Sequence, residues 1–139
     1  RVLVEVSTAM GKKAVALVTS MDQPLGRAVG NALEVVESIE VLRGGGPADV
    51  RELTLALGAE MVLLAGLASE RSAARALLER KLSDGTGLTA FRRWVALQGG
   101  DPRAVDDPSR LPRAPVVREV HAGDAGVVAE MVAHGGVST

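Results

Sequence analysis

Glu34, Glu37 and Glu40 recur at three-residue spacing in the run 31–42. On a helix that spacing gathers carboxylates along one side, and the plain expectation is a solvated acidic face. Ser20, Asp22 and His121 can be drawn as a nucleophile set, but no Gly-x-Ser-x-Gly elbow surrounds the serine. The two histidines, His121 and His134, lack the close spacing of a zinc helix, and the chain has no cysteine to partner them. They are expected to be surface or linker residues. Gly44-Gly45-Gly46 suggests a phosphate cradle. It follows a helical pattern rather than a strand, and no Gly-Lys-Ser/Thr accompanies it, so it is expected to be a turn. Phe91 and Trp94, three residues apart, have the spacing of a base-stacking platform. Without a basic groove beside them they read as core.

The elements that would position these groups follow from periodicity. Ala14 to Thr19 is a short apolar run of the kind buried on both faces of a sheet, and it predicts a strand. Pro24 and Gly26 then turn the chain. Val29, Ala32, Leu33, Val36 and Ile39 form one helical stripe, which ends at Arg43 and the three glycines. In open α/β sheets ligands sit beside such strand-to-helix loops, which directs attention to residues 21–37. Pro47 opens a second helix with Asp49 and Glu52 near its positive end. Val50, Leu53, Leu57, Met61 and Leu64 are its expected buried stripe, widened by Leu55, Val62 and Leu63. Ser69 is the expected cap of a third helix over 70–82, with Ala73, Ala76, Leu77 and Arg80 in register. A fourth spans 88–98, with Leu88, Phe91, Val95 and Trp94 turned inward. Residues 99–115 carry Pro102, Pro108, Pro112 and Pro115 and read as a linker or irregular crossing. Residues 116–121 and 126–131 read as two strands about Gly123-Asp124, before a loose tail over 132–139. A lysine that a biotin- or lipoate-bearing turn would need is absent from 129–132. Val2 to Met10 fits the end of a helix or a strand.

The chain has 139 residues, 47% of them hydrophobic, enough for one domain with a real core. Sixteen basic and seventeen acidic side chains nearly cancel, which argues against a general nucleic-acid binder or an anionic-membrane binder. No apolar run is long enough to span a membrane, and the first residues are not a secretory signal. Absence of cysteine is compatible with a cytoplasmic protein. The chain begins without Met inside an apolar pattern, which suggests a truncated or processed sequence.

Met21-Asp22-Gln23-Pro24-Leu25-Gly26, followed by Ala28-Val29-Gly30-Asn31-Ala32-Leu33-Glu34-Val35, resembles the pyrimidine-nucleoside and thymidine phosphorylase family. Gly45-Gly46-Pro47-Ala48-Asp49, Leu57-Gly58 and the run from Phe91 to Gly100 extend the resemblance in order. It covers the chain from about Lys13 to at least Met131 and corresponds to an internal to C-terminal portion of enzymes that are much longer. The fold it implies is part of a mixed-sheet α/β domain with several packed helices, followed by the start of a small β-rich C-terminal segment. On that reading 1–100 belong to the α/β domain, 101–115 are the Pro-rich linker and 116–139 begin the β segment, and Val2 to Met10 is a helix.

The activity implied is that of a pentosyltransferase. Phosphate attacks the anomeric carbon of a pyrimidine nucleoside, releasing the base and a pentose 1-phosphate, in a cytoplasmic homodimer. The family's phosphate loop and base-binding residues have no counterpart here, so no catalytic residue is assigned and the stretch alone is expected to be inactive. The resemblance further implies potassium, held by the backbone carbonyls of Leu25 and Ala28 and by the Glu37 side chain, with the remaining ligands supplied from outside this sequence. Glu37 is thereby set apart from Glu34 and Glu40. Pro24 and Gly26 leave the loop nearer to the broad-specificity pattern than to the thymidine-only one. A stand-alone regulatory or interaction module on the same scaffold is the alternative.

Overall fold

The computed structural model describes residues 2–20 and 22–128. Among them the chain forms six α-helices: α1 (Val2–Ala9), α2 (Asn31–Leu42), α3 (Ala48–Leu64), α4 (Arg71–Ser83), α5 (Thr86–Leu97) and α6 (Arg103–Asp106). A 3-10 turn (Pro108–Arg110) follows. α3 packs most extensively on α4, α4 continues onto α5, and α5 meets both α2 and α6. No helix among the described residues is long and apolar enough to cross a membrane.

The mixed sheet expected from the sequence is not formed: no described residue lies in a strand. Residues 14–19 run without regular structure, with Val15, Leu17 and Val18 exposed. A strand needs a neighbour to take its backbone N–H and C=O groups, and among the described residues no second extended segment is paired with this one. The same correction applies to 116–121, which are exposed and irregular, as are 126–128. The rest of the second expected strand, 129–131, and the tail over 132–139 lie outside the described residues.

The helices were more legible, although their buried faces were not always the expected ones. On α3 the buried residues are Leu55, Ala59, Glu60 and Val62, while Leu57 and Met61, part of the expected stripe, are exposed. α3 is apolar on several sides, so periodicity does not select a face. Size does: Gly58 lies under Leu78, and Ala59 shares a core with fully buried Ala74 of α4, allowing the helices to approach closely. Val62, Leu63, Ala68, Leu77 and Leu78 complete that core.

A second buried group, Ile39 of α2 and Val105 of α6, lines a crevice with Phe91 and Val95 of α5. The Arg43 guanidinium, at the end of α2, ties that helix to α6 by donating to the carbonyls of Val105 at 2.8 Å and Asp106 at 3.0 Å. Part of the expected linker is thus folded back against the helices. The Phe91 and Trp94 rings lie 5.7 Å apart and tilted by 32°, and Trp94 is 56% exposed rather than turned inward.

Ser69 does not cap α4: Glu70 occupies the cap position, and no side chain bonds the first turn there. The glycine triplet terminates α2 as expected. Gly44 adopts φ +89°, its N–H bonds the Val41 carbonyl, and the Gly45 N–H reaches back to Glu40. This pair of bonds is the Schellman closure that a left-handed residue permits.

Candidate functional site

The loop between Ser20 and α2 is where the sequence placed its candidate groups. Leu25 is exposed, while Gly26 and Ala28 are half-buried. α2 begins at Asn31 with Gly30 at its cap, so Ala28 belongs to the loop rather than to the helix. Glu37, half-buried on α2, nevertheless reaches that loop: its Oε1 accepts the N–H of Arg27 at 2.9 Å and of Ala28 at 3.1 Å. The family resemblance implies that Glu37 lies beside the loop carbonyls of Leu25 and Ala28. The structure shows which groups of the loop it meets first, namely the amide donors.

Gly26 is required on two counts. Its φ is +74°, the left-handed region that an L side chain enters at a cost. A Cβ at this position would lie 2.1 Å from Glu37 Oε2 and 2.8 Å from Val50 Cγ2. The loop backbone is therefore seated between α2 and the start of α3.

Asp49 supplies a second anchor that sequence reasoning did not find. It was read only as a charge at the positive end of a helix. In the structure its Oδ2 accepts the Gly26 N–H at 2.9 Å, while Oδ1 accepts the N–H of Val50. Chiefly the Gly26 bond, then the Val50 bond, hold its carboxyl below the usual carboxylate range. Proximity to Gly26 across 23 residues is a tertiary fact with no local signal in the sequence.

The other acids divide differently from expectation. Glu34 is exposed but not simply solvated, since its Oε1 accepts the Gly30 N–H at 3.1 Å and helps start α2. Glu40 is exposed and lines an open cleft of about 540 Å³ together with Arg27, Ala28, Val36, Glu37 and Pro47. Ser20 donates to Asp22 Oδ2 at 3.0 Å, an exposed local bond. His121 instead pairs with Glu119 at 3.3 Å, so the three-residue nucleophile set is not assembled. His134 lies outside the described residues.

Leu25 and Ala28 lie in the loop that Glu37 reaches from α2, and the groups a hard cation would use there are oxygens, two backbone carbonyls and one carboxylate. Among the described residues no three acidic, histidine or cysteine side chains converge as a metal-binding group. Any cation held at this loop would depend on backbone carbonyls beside the one carboxylate.

The chain is 47% identical over 133 residues to the pyrimidine-nucleoside phosphorylase of Geobacillus stearothermophilus. It is 46% identical over 133 residues to that of Bacillus subtilis and 42% over 132 residues to that of Staphylococcus aureus. The chain is related to the pyrimidine-nucleoside phosphorylases. These alignments cover 95–96% of the chain but only 30–31% of each relative, so it spans under a third of their length. No family model matches it. The resemblance to these phosphorylases therefore extends through the whole Glu37 loop and all the described helices beyond it.

Proposed function

We propose that this chain is a portion of a pyrimidine-nucleoside phosphorylase, and that it serves as scaffold and cation support for phosphorolysis. The observation that carries this reading is identity of 42–47%, over nearly the entire chain, to relatives that share that one name. In the reaction a phosphate oxygen bonds to the anomeric carbon as the glycosidic C–N bond breaks. The base leaves with the bonding electrons and takes up a proton, and the sugar becomes a pentose 1-phosphate. None of the chain's residues is assigned to hold the phosphate or the base. The division into an α/β portion over 1–100, a crossing over 101–115 and a β segment beginning at 116 belongs to the same reading.

The carbonyls of Leu25 and Ala28 and the carboxylate of Glu37 would hold potassium. Bound there, potassium would supply positive charge beside the Glu37 carboxylate. The chain's own contribution is geometric. Glu37 fixes the Arg27 and Ala28 peptides, and Gly26 leaves the space its carboxylate needs.

The test is a graft. The aligned segment of the Geobacillus stearothermophilus phosphorylase is replaced by this chain, and base release from uridine and thymidine is followed with and without phosphate. The expected result is a folded chimera with phosphate-dependent base release, and no release by the 139-residue chain alone. A folded but inactive chimera, or phosphorolysis by the chain by itself, would overturn the reading.

A further inference from the structure

Consecutive amides in the loop, those of Gly26, Arg27 and Ala28, donate to carboxylates from two different helices. Arg27 and Ala28 go to Glu37 of α2, whereas Gly26 alone goes to Asp49 of α3. A peptide unit is planar, and in the trans form its N–H and C=O point in opposite directions. No cis peptide occurs among the described residues. The N–H of Gly26 and the carbonyl of Leu25 belong to one such unit. Aiming the first at Asp49 Oδ2 therefore aims the second away from α3.

We propose that Asp49 is a positioning residue: by accepting the Gly26 N–H it sets the direction of the Leu25 carbonyl, and so readies that oxygen for a monovalent cation. The proposal rests on the phosphorylase reading above, and specifically on the cation at the Glu37 loop. Asp49 touches neither substrate nor ion in this account; it acts through one peptide plane.

Several features separate this role from that of a charge at a helix start. One carboxylate oxygen of Asp49 already serves its own helix through Val50, and the other reaches across to the loop. Val50, the next residue of α3, would lie 2.8 Å from a Cβ on Gly26, so the helix start and the loop are in direct contact. Glu37 serves other peptide units: its Oε1 accepts the next two amides, whose partner carbonyls are those of Gly26 and Arg27, while the Gly26 N–H goes to Asp49. The two acids thus control different peptide units. The Leu25 carbonyl depends on Asp49.

The experiment compares Asp49→Ala, Asp49→Asn and Glu52→Gln in the intact phosphorylase that carries this stretch. Potassium affinity is measured by calorimetry against tetramethylammonium, and amide hydrogen exchange is followed in peptides covering 22–30. Outer-shell partners of metal ligands commonly change affinity by about tenfold or more, so Asp49→Ala is expected to weaken potassium binding roughly tenfold and to speed exchange at Gly26. Asp49→Asn keeps one acceptor oxygen, which can serve Gly26 or Val50 but not both, and should fall between the parent and Asp49→Ala in both readouts. Glu52→Gln removes another acid near the start of α3, one that is paired with Arg75 instead of the loop, and should leave potassium affinity unchanged. If the parent binds potassium and Asp49→Ala binds it equally well, the positioning role is overturned while the cation site stands. Equal weakening by Glu52→Gln would also overturn it, by showing a general effect of charge. If the parent itself binds no potassium, the cation reading of the loop fails, and this inference fails with it.

Discussion

The loop contacts of Glu37 and the cation role proposed for it can be separated, because stapling a loop needs an acceptor and holding a cation needs a charge. Glu37→Gln keeps a carbonyl oxygen for the Arg27 and Ala28 amides but removes the negative charge. Glu34→Gln likewise keeps an acceptor for Gly30, and Glu40→Gln changes only an exposed acid on the cleft wall. In the full-length enzyme, titrated with potassium against a large organic cation, only Glu37→Gln is expected to lose potassium activation, with its melting temperature near the parent's. If all three respond to potassium like the parent, Glu37 is a loop staple and nothing more. At this scale Glu37 is singled out through the resemblance that the ordered string from Met21 to Val35 carries, not through its spacing from Glu34 and Glu40. The sequence was silent about the bonds. The Glu37 contacts span nine and ten residues and the Asp49 contact spans 23, distances at which helical spacing carries no information.

Among elements, the α3–α4 pair holds the interaction whose loss should be most visible. Glu60 is 7% exposed, on the face of α3 that α4 covers, and its Oε1 accepts from Arg71 Nε at 2.6 Å. Arg71 itself is largely exposed, so water screens part of the attraction. Removing the arginine leaves a carboxylate in a nearly closed site without its guanidinium, the costly half of breaking such a pair. Arg71→Ala is expected to lower stability by about 1 kcal/mol, the low end for an unsatisfied buried polar group because the partner is wet. Urea unfolding of Arg71→Ala, Glu60→Leu and the double variant checks this. The arginine's cost should largely vanish once Glu60 is Leu, and equal costs in both backgrounds would show that the pair contributes nothing. The burial of Glu60 was not legible, because α3 has apolar residues on several sides and the covered side is chosen by the small residues Gly58, Ala59 and Ala74. Helix positions, in contrast, follow from local signals: α3 starts after Pro47, and α2 closes at Gly44. The apolar run over 14–19 shows the limit of local signals, since a strand is defined by a partner and the pattern of one segment cannot supply it.

Across the whole molecule, near-neutral composition conceals an uneven electrostatic arrangement. Asp49, Glu52, Asp84, Asp101 and Asp107 all have carboxyls held below their usual range by hydrogen bonds in the folded state. The donors differ. Asp49 takes backbone N–H groups, Glu52 the Arg75 guanidinium, and Asp84 the hydroxyl and N–H of Thr86. Asp107 bonds Ser109, and Asp101 bonds Arg103, which lowers it to about 2. They lie on α3 and at the turns between later helices, so acid acts at many joints together rather than at one site. Each group has a folded-state pKa below its unfolded value, 3.8 for the aspartates and 4.5 for Glu52. Its contribution is thus complete above the unfolded pKa and disappears as pH falls through the folded one. Urea midpoints should therefore be flat from pH 7 to 5, then decline from about pH 4.5 towards 2 as the carboxylates take up protons that their donors had excluded. All five groups are solvent-facing, so the decline should be gradual and weakened by salt. Asp101→Asn isolates the lowest part of the window: the variant should lose less stability than the parent between about pH 3 and 2, because it no longer has that proton to gain. A midpoint that stays flat on acidification, or an Asp101→Asn profile identical to the parent's, would mean that these hydrogen bonds are as strong to the protonated acids as to the carboxylates.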